Sequence, residues 1–162
     1  GLMEDPQSSS SRRRAREVAL QVLYAVDLGR WRSPASREVD ASPEPRESDP
    51  AGMFDAVAES FEMPSAARDF ARELVTEVEG HRAELDRSIS QYSANWRIER
   101  MAAVDRNILR LGTYELLHTA TPVGVILNEA VDLARRFSND PSPAFVNGIL
   151  DALARGVRDC EA

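Results

Sequence analysis

Arg12, Arg13, Arg14 and Arg16 set four guanidinium groups almost side by side, a density of charge suited to holding an anion. The run passes without a break into Glu17-Val18-Ala19-Leu20-Gln21-Val22-Leu23-Tyr24. There Ala15, Val18, Ala19, Val22, Leu23 and Val26 recur at three- and four-residue steps and give one apolar helical stripe. The spacing predicts a helix from Ser11 to Leu28, closed near Gly29, with the arginines on its opening turn. Ser11 then stands as N-cap with Arg14 at the position where a capping box wants Glu or Gln. Cations there oppose the helix dipole. The arginines are therefore read as serving a ligand outside the fold, against the plainer reading of a solvated basic tail. All 20 basic residues are Arg and none is Lys, so the choice of Arg carries no signal; the clustering does. Clustered guanidinium groups suit a nucleic-acid backbone.

Other chemistry is missing. No glycine loop of the P-loop or dinucleotide type occurs. His81 and His118 lie far apart with no Cys or His at metal-ligand spacing, and they read as surface or partly buried helix residues. Cys160 has no companion His and no second Cys, so neither a nucleophile nor an internal disulfide is expected. Acidic pairs such as Asp69/Glu73 and Glu73/Glu77 read as solvated helix faces. The expectation is a binding protein with no catalytic residues, no metal site and no cofactor.

The 162 residues suffice for one domain or two small helical subdomains. A net charge of −7 makes the arginine cluster a local feature on an acidic chain. No apolar run reaches membrane-spanning length and no secretory core follows the basic residues, so a cytoplasmic address and no membrane partner are expected. Gly1 and Leu2 ahead of Met3 read as an expression remnant within a flexible tail, residues 1–10. A single domain is expected over 11–162, interrupted by a flexible acidic loop over 33–52 that carries Pro34, Pro43, Pro45 and Pro50.

The remaining pattern is helical. Met53, Phe54, Val57 and Phe61 make a short helix stopped near Pro64. Residues 65–92 form a longer helical region carrying Ala67, Phe70, Ala71, Leu74, Val75 and Val78, then Leu85, Ile89 and Tyr92, with Gly80 marking a kink or a break. Trp96, Ile98 and Met101 form an apolar turn. Val104, Ile108, Leu111 and Leu116 face inward on the next helix, which ends before Pro122. Leu127, Ala130, Val131, Ala134 and Phe137 stripe another, and Phe145, Val146, Ile149, Leu150 and Leu153 the last. No period-two strand pattern occurs, so the expected fold class is all-α with about seven helices.

Three segments, in order, resemble the bacterial NusB family of transcription antitermination factors. They are Arg12 to Tyr24; Val104-Asp105-Arg106-Asn107-Ile108-Leu109-Arg110-Leu111-Gly112-Thr113-Tyr114-Glu115-Leu116; and Asn128-Glu129-Ala130-Val131 with the later Phe145-Val146-Asn147-Gly148-Ile149-Leu150-Asp151. The resemblance spans Arg12 to about Leu153, and its last segment is the most specific. It implies a compact NusB-like fold of two perpendicular helical subdomains with a disordered basic N-terminal arm. It also implies binding to the single-stranded boxA element of nascent ribosomal RNA together with the ribosomal protein NusE, and assembly of an antitermination complex on RNA polymerase. Some members of the family form homodimers that hide the RNA face.

The resemblance assigns RNA contacts to Arg12, Arg13, Arg14 and Arg16, to the aromatic Tyr24 and Phe145, and to Ser142 and Asn147 at the start of the last helix. Free N–H groups there also favour phosphate. Tyr24 and Phe145 read equally well as core, and Asn147-Gly148 as a close helix contact. Asp105 matches a position associated with the ribosomal protein, or is an acidic residue placed for the helix dipole. Pro141-Ser142 departs from the Asp-Ser of many relatives, with Asp140 one place earlier, which stiffens the loop that should face the RNA. Two alternatives stand beside this reading. One is a stand-alone NusB-like domain related to ribosomal RNA cytosine methyltransferases; the other is a purely protein-binding helical adaptor.

Overall fold

The computed structural model describes residues 6–30, 50–93 and 96–158. They form seven α-helices and one 3-10 turn: α1 Pro6–Arg30, α2 Pro50–Ala58, α3 Ser65–Gly80, α4 Arg82–Tyr92, the turn Ile98–Arg100, α5 Ala103–His118, α6 Val123–Phe137 and α7 Ser142–Arg158. No strand occurs among the described residues, and none of their helices is long and apolar enough to cross a membrane. The chain divides into two compact units, residues 1–76 and 77–162. Most of the expected 33–52 loop lies outside the described residues, while 50–52 open α2 rather than extending a loop.

In the first unit α1 packs on α2. The expected stripe from Ala15 to Val26 is buried throughout, as are Phe54 and Ala58 of α2 and Ala67, Ala71, Leu74 and Val75 of α3. Asp55 of α2 reaches Arg72 at 3.6 Å and Arg68 at 3.9 Å on α3. One expectation changes. The first helix opens at Pro6, a residue suited to a first helical turn because it lacks an N–H that would go unused there. Residues 6–10 are thus helix, not tail, and the arginines fall beyond the first turn, where the dipole has faded.

The second unit is built around α5, which packs on α4, α6 and α7; α7 also packs on α4 and α6. Every residue of α5 from Asp105 to Leu116 is buried, so its polar side chains need partners within the protein; the Thr113 hydroxyl finds none among the described residues, while others do. Arg106 Nη1 donates to the Met101 carbonyl at 3.2 Å, and Asn107 Nδ2 to the Ala103 carbonyl at 2.7 Å. Arg110 grips Asp86 of α4 with two bonds, Nε to Oδ1 at 2.8 Å and Nη2 to Oδ2 at 3.1 Å, and Nη1 donates to Asn107 Oδ1 at 3.1 Å.

Helix ends in this unit are closed from a distance. Arg158, at the end of α7, donates to the carbonyls of Glu115, Leu116, Thr119 and Thr121 at 2.7–3.1 Å. Those oxygens lie at the C-terminal end of α5 and in the turn after it, where helical partners run out. The helical region over 65–92 breaks at His81, just past Gly80, into two helices. The stripe expected on α6 is rotated. Ile126, Ala130, Leu133 and Ala134 are its buried residues, and Phe137 is 39% exposed.

The close helix contact expected at Gly148 belongs to a different glycine. A Cβ on Gly148 would meet nothing within 4 Å, whereas one on Gly112 would fall 2.7 Å from Leu150 Cδ1. Gly148→Ala is expected to raise stability by about 0.5–1 kcal/mol, the ordinary gain from removing a glycine within a helix. Gly112→Ala is expected to lower it by about 1 kcal/mol, because crowding against a fully packed leucine outweighs the better helix propensity. Urea denaturation of the two variants checks both signs.

Candidate nucleic-acid interface

The arginines of α1 divide by environment. Arg12 and Arg13 are exposed and Arg14 is half-buried, while Arg16 is only 4% exposed. Arg12 and Arg16 both lie over the ring of Phe70, with guanidinium carbons 6.0 and 5.5 Å from its centroid, and Arg14 lies 5.3 Å over Phe61. Arg14 also pairs with Glu17 at 3.1 Å. Stacking on aromatic faces holds planar guanidinium groups in fixed orientations, so this surface is ordered in advance of any ligand. It also shows that Arg16 does not fit the expectation of a direct phosphate contact. Its side chain is enclosed.

Tyr24 is 37% exposed, so of its two readings the core one does not hold. Eleven residues separate it from Arg13, about three turns, which leaves both on one face of α1 within about 20°. A cation and an aromatic ring on one helix face are the pair of groups that single-stranded nucleic acid uses, one for backbone charge and one for stacking.

In the second unit the four remaining expected residues separate into two kinds. Ser142 and Asp105 are both buried and are spent on each other. Asp105 Oδ2 accepts from Ser142 Oγ at 2.9 Å, Asp105 Oδ1 accepts from Ser138 Oγ at 2.8 Å, and the two hydroxyls lie 2.9 Å apart. The carboxylate at the start of α5 thus ties the end of α6 to the start of α7. The opening turn of α7 also has fewer free donors than expected. The Ser142 N–H goes to the Asn139 carbonyl at 2.8 Å, and Pro143 has no N–H. The loop before it is the one in which Pro141 departs from the usual pattern, and the Asp140–Pro141 peptide is cis.

Asn147 is exposed and Phe145 half-buried. Phe145 meets Trp96 edge to face, with centroids 5.8 Å apart and planes at 74°. Trp96 is 57% exposed, although the sequence pattern placed it with Ile98 and Met101 in an apolar turn. Those two are buried and Trp96 is not. The two aromatics present a partly open apolar edge that offers stacking area, while Asn147, two residues on from Phe145, points from a different side of α7. The sequence setting of Trp96, after Ser93-Ala94-Asn95 and before Arg97, did not separate it from Ile98 and Met101. Phe61 and Phe70, which seat the arginines, gave no signal either.

Comparison with known proteins follows the same lines. Residues 13–155 match the family model described as NusB family. The chain is 45% identical over 149 residues to the transcription antitermination protein NusB of Symbiobacterium thermophilum, covering 91% of this chain and 92% of that one. It is 40% identical over 153 residues to that of Anaeromyxobacter dehalogenans, covering 92% and 94%. A solved structure of antitermination factors NusB and NusE in complex with dsRNA aligns with a TM-score of 0.71 at 29% identity, over 91% of this chain and 98% of that one.

Proposed function

From the premise that this chain belongs to the NusB family, we propose that it is an antitermination factor that binds RNA and the ribosomal protein NusE, and that it is not an enzyme. Its RNA target is the single-stranded boxA element of ribosomal RNA leader transcripts, and the pair with NusE helps assemble the antitermination complex on RNA polymerase. The observation that carries the RNA reading is the arginine surface of α1, with Arg12 and Arg13 exposed and three guanidinium groups seated over phenylalanine rings. The aligned solved complex of NusB, NusE and dsRNA supports the same pair of partners. The relatives matched over more than nine-tenths of their own length are transcription antitermination proteins NusB, which favours an antitermination factor over the methyltransferase-related reading.

The contacts follow from exposure. Arg12 and Arg13 meet phosphates directly, Arg14 does so once it exchanges Glu17 for a phosphate, and Arg16 acts through its charge. Tyr24, Phe145 and Asn147 face bases. Ser142 and Asp105 act indirectly, by holding the start of α7 in place. Asp105 acts on NusE binding through the position of that corner rather than by touching the partner.

The test is a titration of boxA-sequence single-stranded RNA with wild type and with the Arg12→Ala, Arg13→Ala double variant, each over a range of salt and with and without NusE. Both replaced residues are exposed, so the fold is expected to survive. Losing two phosphate contacts should reduce the slope of log affinity against log salt by about 1.4, at roughly 0.7 per contact on a single strand. Affinity and slope equal to wild type would overturn the reading. NusE binding that survives while RNA adds nothing to it would leave the protein-adaptor alternative in its place.

A further inference from the structure

His81 and His118 are distant in sequence, yet their ring centroids lie 4.3 Å apart. His81 precedes α4, Glu84 sits in its first turn, and His118 ends α5. One ligand atom from each of the three residues lies within 4.8 Å of the other two. His118 Nε2 and Glu84 Oε1 are already 3.0 Å apart. His81 Nδ1 lies 2.8 Å from the Glu77 carbonyl. A carbonyl only accepts, so Nδ1 carries the hydrogen and the lone pair of the neutral ring sits on Nε2. Tyr114 stacks on His118 with centroids 5.5 Å apart and tilts toward His81 at 6.0 Å.

We propose that His81, Glu84 and His118 form a binding site for one divalent cation of the Zn²⁺ type. Two imidazoles and a carboxylate are a donor set that zinc favours over magnesium or calcium, which take oxygen ligands. A ligating imidazole usually has its other nitrogen bonded to a carbonyl or carboxylate, and His81 has that bond in place. Metal–ligand lengths of about 2.0–2.2 Å put tetrahedral ligand atoms roughly 3.3–3.6 Å apart. The His118–Glu84 pair therefore opens by a few tenths of an ångström and the widest separation, at most 4.8 Å, closes by up to about 1.5 Å. None of the three residues is buried, so side-chain rotation suffices, and the fourth coordination position faces solvent. The competing account is two separate contacts, His118 with Glu84 and His81 with Glu77. It explains each contact, but it gives no reason for two imidazoles to stand ring against ring with a carboxylate between their helices. A bound cation would join the start of α4 to the end of α5. The site shares no residue with the arginine surface and does not depend on the RNA reading.

The experiment uses the whole chain without an affinity tag, titrated with Zn²⁺ by calorimetry and with Co²⁺ by visible spectroscopy. The expected result is one Zn²⁺ per chain, a tetrahedral Co²⁺ spectrum without a thiolate charge-transfer band, and a rise in Tm on adding Zn²⁺. His118→Ala and Glu84→Gln should each lose that binding with an unchanged circular dichroism spectrum, while Cys160→Ser keeps it. No Zn²⁺ uptake by wild type, or uptake that both variants retain, would overturn the site. Glu84→Gln keeps the shape and the hydrogen-bonding capacity of the side chain, so its loss of metal would not be a folding effect.

Discussion

Replacing Asp86 with alanine is expected to cost about 3 kcal/mol, a large effect for a partly exposed residue. Asp86 receives both arms of the Arg110 guanidinium, at 2.8 and 3.1 Å, and Arg110 is 3% exposed. Removing one partner of a buried pair costs about 3–5 kcal/mol, because the charge left behind has neither water nor its counter-ion. Asp86 is itself 26% exposed, so water reaches part of the gap and the low end of that range applies. Against a total stability of about 5–15 kcal/mol for a domain this is a large fraction. Two comparisons separate burial from pairing as such. Asp86→Ala with Arg110→Met should recover most of the loss, since an apolar residue of similar length needs no carboxylate. Asp151→Ala removes a pair with Arg155, at 3.3 Å and well exposed, and should shift the urea midpoint little, because exposed pairs contribute about 0–1 kcal/mol. Equal losses for Asp86→Ala and Asp151→Ala would show that the Arg110 grip contributes nothing special.

Asp105→Ala should come next, at about 2–3 kcal/mol. Each carboxylate oxygen accepts one hydroxyl bond, from Ser138 and from Ser142, and bonds to a charged acceptor contribute about 1.5–3 kcal/mol where neutral ones give about 1. The two hydroxyls lie 2.9 Å apart and keep one bond between them after the change, which limits the loss. The favourable placement of a carboxylate in the first turn of α5 goes with it. Asp105→Asn preserves shape and one acceptor and should lose about half as much. The measurement that gives this residue its role is NusE binding by Ser138→Ala and Ser142→Ala. If the corner between α6 and α7 is what matters, both should weaken the complex in proportion to their stability loss, as Asp105→Asn does. Weakening by the Asp105 variants alone would mean that the carboxylate touches the partner after all.

These two residues show what can and cannot be read from sequence. Apolar periodicity needs only the chain's own spacing, so the stripes on α1 and α3, the break past Gly80 and the all-helical class were legible. A polar residue's fate depends on a partner elsewhere. Arg110 finds Asp86 on another helix, and Ser142 finds Asp105 at a separation of 37 residues. No local pattern distinguishes such a serine from one awaiting a ligand. Arg16 is hidden for a similar reason, because Phe70 belongs to a different helix. The rotation of α6 has a simpler cause. Leu127 and Val131 are as apolar as Ile126 and Leu133, and composition alone does not choose between adjacent faces. Where the first helix starts was missed because the serine run looked like a tail, although Pro6 ahead of it is a helix-opening residue.

The Arg158 clamp has a consequence for synthesis. A chain leaves the ribosome from its N-terminus, and domains tend to form in that order. The carbonyls at the end of α5 and in the turn after it emerge about 40 residues before the guanidinium that closes them. Until α7 is finished that end lacks its guanidinium and has only the local bonds of Thr119 to the Glu115 carbonyl, so the second unit acquires its final closure late. The packing of α1 on α2 lies within residues 1–76. The nascent protein would therefore hold its arginine surface in place while the other unit is still being assembled.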